Sequence, residues 1–141
     1  MAKMIHAVAG ILLKNGKILL ACRPIGKIHA GAWEFPGGKL EANETSAIAL
    51  ARELKEEIGI TTDISQCELV TSIYQEYDHA NVNLDVLRVI NWQGIPISLE
   101  HQELYWHDLS EPCLKEPLLI TTQKILDIVI NKYGKKNNAA I

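Results

Sequence analysis

Glu53, Glu56 and Glu57 stand at positions i, i+3 and i+4. On a helix that spacing places their carboxylates on one face. Three like charges side by side weaken a bare helix unless a cation lies among them. A hard divalent ion held by carboxylate oxygens, with water completing its shell, meets that need. Just upstream, Gly37-Gly38 allows backbone to approach another group closely, and Lys39 adds a positive charge. A glutamate cluster on an amphipathic helix is more often an ordinary solvated face, with Arg52 pairing Glu56 at i+4, and the three glutamates alone favour that reading.

These residues need a helix to carry them, and the surrounding sequence predicts one. Thr45 is an N-cap residue, and Gly59 is placed to end the helix in the left-handed conformation. Ala47, Leu50, Ala51, Leu54 and Ile58 recur at helical spacing as a core-facing stripe, turned away from the glutamates. Before it, Asn15-Gly16 between the apolar runs Val8–Leu13 and Ile18–Ala21 predicts a hairpin. Trp33 to Gly38 reads as a short strand broken by proline and two glycines. Glu68–Tyr77 and Val82–Trp92 are two long strands joined around residues 78–81, and Leu104–His107 is a short one. Pro117 opens a final amphipathic helix to about Tyr133. The expected unit is one mixed α/β domain over residues 1–134, with residues 135–141 a frayed Lys/Asn tail.

Composition narrows the class. With 141 residues the chain is one domain's length, and nearly half of it is apolar. A net charge of −3 argues against stable nucleic-acid binding, which favours a basic excess. It leaves room for a nucleotide, whose charge a metal and a few local cations can meet. Cys22, Cys67 and Cys113 are odd in number and widely spaced, so they read as reduced, partly buried residues of a cytoplasmic protein. His6, His29, His79, His101 and His107 have no metal-ligand spacing. The apolar opening Ile5–Leu13 is too short to span a bilayer, so no membrane partner is expected.

From Gly38 to Ile60 the sequence reads glycine, five residues, Glu44, seven residues, Arg52-Glu53-Leu54, one residue, Glu56-Glu57, one residue, Gly59-Ile60. At average residue frequencies, a chance match at a given start is on the order of 10⁻⁹. The segment resembles the Nudix box at every specified position. That resemblance implies an α/β/α sandwich around a mixed sheet, with the box as a loop–helix–loop. It also implies hydrolysis of nucleoside diphosphates linked to a further moiety. Glu53, Glu56 and Glu57 then match the glutamates that bind magnesium, for which manganese can substitute. Arg52 matches the arginine that orients one of them, and Glu44 a supporting glutamate.

Outside the box, Trp33 to Lys39 is similar to the MutT-type branch, which removes oxidised nucleotides such as 8-oxo-dGTP. Gly16 to Pro24, and Glu100-His101-Gln102 before Trp106, are similar to the CTP pyrophosphohydrolase branch. Carried over, Arg23 lies near the nucleotide and Phe35 beside the base. Gly37, Gly38 and Lys39 join them as substrate-binding candidates, and Glu100 approaches the metal and water. Either Glu53 or Glu100 is the general base. One position departs: where the MutT type reads oxidised guanine with an asparagine, this chain has Lys115 before Glu116-Pro117. A lysine cannot both donate and accept hydrogen bonds as an amide does, which weakens the expectation of strict 8-oxo-guanine selectivity. The implied partner is a nucleoside triphosphate, and the chain is expected to be a monomer or homodimer.

Overall fold

Asn15 (φ 54°) and Gly16 (φ 76°) form the predicted turn, between β2 (Leu13–Lys14) and β3 (Lys17–Cys22). The computed structural model, which describes residues 3–113 and 115–134, shows that the hairpin is short. Only Leu13↔Ile18 and Lys14↔Lys17 pair as strands, and Leu19 N–H donates to Leu12 O at 3.2 Å. Upstream of Leu12 the chain leaves for another sheet. There β1 (Met4–Ile11) runs parallel to β8 (Asn81–Val89) and antiparallel to β5 (Gly37–Lys39). The cause is legible in β1 itself: residues 8–11 are buried without alternation, as suits a strand covered on both faces.

One sheet has the order β5-β1-β8-β7, with β7 spanning Cys67–Glu76. The other has the order β10-β3-β2, with β4 (Trp33–Glu34) also paired to β3 and β10 spanning Glu103–Asp108. Alternate side chains of β1, β3 and β8 sort into two cores. Val8, Leu12, Leu19, Leu87 and Val89 pack with α1 (Ser46–Ile58). Ala9, Ile11, Ile18, Leu20 and Val86 pack with α2 (Ile120–Val129). Two helices thus cover opposite faces of mixed sheets, as the expected α/β/α sandwich requires. A Cβ on Gly10 would lie 3.1 Å from Leu50 Cδ1, so α1 rests close on β1 there.

The caps of α1 are the predicted ones. Thr45 Oγ1 accepts from Ile48 N–H at 3.2 Å, and Gly59 has φ 75°. Its buried residues are Ala49, Leu50, Leu54 and Ile58, so Ala49 takes the place expected for Ala51, which is half-buried. The final helix starts three residues later than predicted. Trp33 N–H donates to Pro117 O at 2.8 Å and Leu119 N–H to Trp33 O at 3.3 Å, so residues 117–119 run extended beside β4. Downstream of Val129 a π-turn covers Ile130–Gly134. Trp92–Gln93 forms a separate strand, β9, against β6 (Thr61–Thr62), which shortens the second long strand. The expected tail at 135–141 lies outside the described residues.

His107, in β10, is 1% exposed with both ring nitrogens unpartnered. Burial pushes its pKa below the usual imidazole value, so the ring packs as a neutral group. The three cysteines are free and half-buried. Among the described residues no helix is long and apolar enough to cross a membrane.

Candidate active site

Residues 33–39 cross from one sheet to the other. Ala21↔Glu34 and Cys22↔Trp33 pair on the β3 side, while Ala9↔Gly37, Val8↔Gly38 and Ala7↔Lys39 pair on the β1 side. Pro36 stands at the crossing, and its carbonyl accepts from Gly10 N–H at 2.8 Å. This accounts for the broken strand in the sequence: one segment must satisfy two diverging ladders. Where the sheets part there is a cavity of about 1070 Å³, open at one side. Its wall includes Glu34, Gly37, Gly38, Glu53, Glu57 and Glu100.

Arg52 organises the carboxylates on α1. Its Nε and one terminal nitrogen grip Glu44 at 2.7 and 2.9 Å, and that same nitrogen also donates to Lys39 O at 3.0 Å. The other terminal nitrogen donates to Glu53 Oε1 at 2.8 Å. Glu44 is fixed in turn by Glu41 N–H at 2.7 Å. These charged hydrogen bonds hold the Glu44 carboxyl at about 2. The supporting part expected of Glu44 is thus a clamp on the arginine that aims Glu53.

Glu53 lies directly against β5, because a Cβ on Gly38 would collide with its carboxylate. Burial raises the Glu53 pKa against the pull of Arg52. Glu57 is raised further, to about 8, first by burial and then by the charges of Glu53, Glu34 and Glu100. A backbone hydrogen bond from Gly37 opposes the rise. Glu56 stands apart, half exposed, with Oε2 3.5 Å from Arg52. It is not part of the cavity wall, so the structure sets Glu53, Glu57 and Glu100 around one cavity and leaves Glu56 at the rim. Among the described residues no three acidic or histidine side chains converge closely enough, as they stand, to hold a metal ion. The donor chemistry nevertheless fits a hard divalent cation, since Glu53, Glu57 and Glu100 present carboxylate oxygens to one cavity and the charges of Glu53 and Glu100 bear on Glu57.

Folded Glu57 keeps a proton that the unfolded chain releases above its ordinary pKa of 4.5. Its contribution to stability is therefore greatest below that value, and declines until pH passes about 8. Thermal melts in EDTA should show a midpoint that falls between about pH 5 and about pH 8, with magnesium restoring most at the alkaline end. A flat magnesium effect across that range would contradict this.

The remaining predicted residues are distributed around the cavity. Arg23 lines it, but its guanidinium is engaged with Glu34 Oε1 at 2.9 Å and Ile28 O at 2.7 Å. Phe35 is 4% exposed within the α2-side core, so it shapes the wall from beneath and leaves little ring surface for stacking. Lys39 is exposed on the wall next to the Arg52 clamp. Lys115 is not on the wall. Its Nζ lies 4.6 Å from the Tyr105 ring centroid and 5.0 Å from that of Trp33, a cation–π arrangement.

Glu34 joins the site without a motif to mark it. It faces the same cavity, is paired with Arg23, and has a pKa raised by burial. The available signal was the alternation in Trp33-Glu34-Phe35, where the two aromatics are buried and the acid between them points to the other side.

Residues 4–127 match the model of the NUDIX domain. A protein of Escherichia coli (strain K12) named CTP pyrophosphohydrolase is 42% identical over 116 residues, 82% of this chain and 84% of that relative. A Proteus vulgaris protein named 8-oxo-dGTP diphosphatase is 41% identical over 93 residues, 65% of this chain and 81% of the relative. The crystal structure of a MutT NUDIX hydrolase from Burkholderia pseudomallei superposes with a TM-score of 0.80 at 26% identity, covering 90% of this chain and 98% of that one.

Proposed function

The chain belongs to the Nudix family, and we propose that it splits a nucleoside triphosphate into the monophosphate and pyrophosphate, clearing modified nucleotides such as 8-oxo-dGTP from the cytoplasmic pool. The observation that carries this reading is Glu53 of α1, aimed by Arg52 against the glycine backbone of β5, with Glu57 beside it on the wall of a nucleotide-sized cavity.

Family members generally require a divalent metal. Here Glu53, Glu56 and Glu57 are the residues that would hold magnesium, with manganese as a substitute. When bound, the ion supplies neutralisation of phosphate charge. The chain's own groups do the rest. Arg52 fixes the Glu53 carboxylate, and the missing side chain of Gly38 lets that carboxylate rest against β5. Lys39 and Arg23 offset negative charge along the polyphosphate. Glu53 or Glu100 takes the proton from the attacking water. Water adds at the β-phosphorus, the bond to the α–β bridging oxygen breaks, and that oxygen departs with the monophosphate.

A second reading, cytidine nucleotides as substrates, draws support from Lys115. The position expected to read oxidised guanine is a lysine folded onto Trp33 and Tyr105, away from the cavity wall. The relative named CTP pyrophosphohydrolase also aligns over more of this chain than the 8-oxo-dGTP diphosphatase does. Under either reading, residues 1–134 act as a single catalytic domain, monomeric or homodimeric, without stable nucleic-acid or membrane contacts.

Pyrophosphate release should be compared for 8-oxo-dGTP, dGTP, CTP, 5-methyl-dCTP and dATP at equal concentration, with magnesium and with EDTA. The first reading expects 8-oxo-dGTP to exceed dGTP by roughly 100-fold or more in kcat/KM. The second expects a cytidine nucleotide to lead. No release from any triphosphate with magnesium would overturn both.

A further inference from the structure

Glu100 shares the cavity wall with Glu53 and Glu57, so the loop bearing it needs a tie to α1 to keep it there. The last carbonyls of a helix lack intrahelical partners and are free to serve as that tie. Ile97 N–H donates to Ile58 O at 3.0 Å, and Leu99 N–H donates to Glu57 O at 2.9 Å. These bonds bring the loop only as far as Leu99.

The next residues are held by one amide. Gln102 Nε2 donates to Glu57 O at 3.2 Å, while its Oε1 accepts from Glu100 N–H at 3.0 Å and from the Ser98 hydroxyl at 2.7 Å. His101 between them has φ 64°, in the left-handed region that turns the chain back toward α1. The two ends of the Gln102 side chain therefore join the backbone of Glu57 to the backbone of Glu100.

We propose that Gln102 is a positioning residue, which sets Glu100 against the carboxylates of α1 by coupling the loop backbone to the C-terminal turn of that helix. This rests on the reading in which Glu100 takes part in the reaction. A side-chain amide suits the task because it donates and accepts at once while adding no charge to an already acidic site. Neither a lysine nor a glutamate could do both.

The test uses the full chain and two readouts. Gln102→Met keeps side-chain length and removes the hydrogen bonds. In the metal-free protein, amide exchange at Glu100 should become roughly tenfold faster or more, while amides in the middle of α1 keep their protection. With substrate and magnesium, kcat should fall roughly 10- to 100-fold, because a displaced reacting group is costly. KM should stay within about twofold, since Gln102 acts through Glu100 and not on ground-state binding. In a Glu100→Gln background the same substitution should cost nothing further.

Ser98→Ala, at an exposed position, should give a smaller loss of the same kind and covers the case in which Gln102→Met folds poorly. An undiminished kcat in both variants overturns the proposal. So does a loss of equal size in the Glu100→Gln background, which would leave the role of Glu100 intact. Wild-type turnover in Glu100→Gln itself would instead overturn the reading of Glu100, and the proposal with it.

Discussion

Glu57→Gln is expected to cut kcat by about a thousandfold, roughly 4 kcal/mol in the barrier, without unfolding the protein. Glutamine keeps the shape of the side chain and an oxygen for the hydrogen bond from Gly37. What it removes is the charge that Glu53, Glu34 and Glu100 repel, the repulsion that helps to push Glu57 up to about 8. Activity and stability should therefore move in opposite directions. The metal-free variant should melt at or above the wild-type temperature above about pH 8, since a buried like charge has gone. Magnesium, which should stabilise the wild type, should stabilise the variant far less. Pyrophosphate release and melts with and without magnesium read all three effects. Near-normal turnover, or an unchanged response to magnesium, would remove Glu57 from the proposed metal-binding set.

Gly38→Ala and Gly37→Ala should fail for different reasons, although the two glycines are adjacent. Neither has a positive φ, so the constraint at both is space. A Cβ at 38 meets the Glu53 carboxylate, a movable side chain, and would drive it out of the orientation Arg52 gives it. A loss of roughly 100-fold in kcat is expected, with stability reduced by no more than about 1 kcal/mol. A Cβ at 37 meets Val8 O, which is backbone in the middle of the β1–β5 pairing and cannot step aside. That variant should lose about 2 kcal/mol or more, and its activity should fall chiefly through unfolding. Rates at a temperature where both remain folded, set beside their melting temperatures, separate the two. A fully active Gly38→Ala would show that Glu53 need not rest against β5.

Local order was written in the sequence wherever short-range physics decides it. Asn15-Gly16 makes a turn because both residues tolerate positive φ. Thr45 and Gly59 bound α1 because a hydroxyl and a missing Cβ satisfy helix ends locally. The spacing of Arg52, Glu53, Glu56 and Glu57 was enough to suggest a cation, and the wider box identified the family. Contacts between distant segments were not legible in this way. The short hairpin, the passage of residues 33–39 between two sheets, and the extended run 117–119 each depend on which strand finds which partner.

The same division holds at the site. Sequence placed three glutamates on one helical face and could not say which of them turn inward. Tertiary packing decided that Glu53 and Glu57 turn inward while Glu56 stays at the rim. It buried Phe35, occupied Arg23 with Glu34, and set Lys115 on two aromatic rings. Sequence determined the chemistry this protein can perform, because residue type and helical periodicity are local properties. Only the tertiary structure decided which charges meet, because burial and repulsion arise between groups that the chain itself keeps far apart.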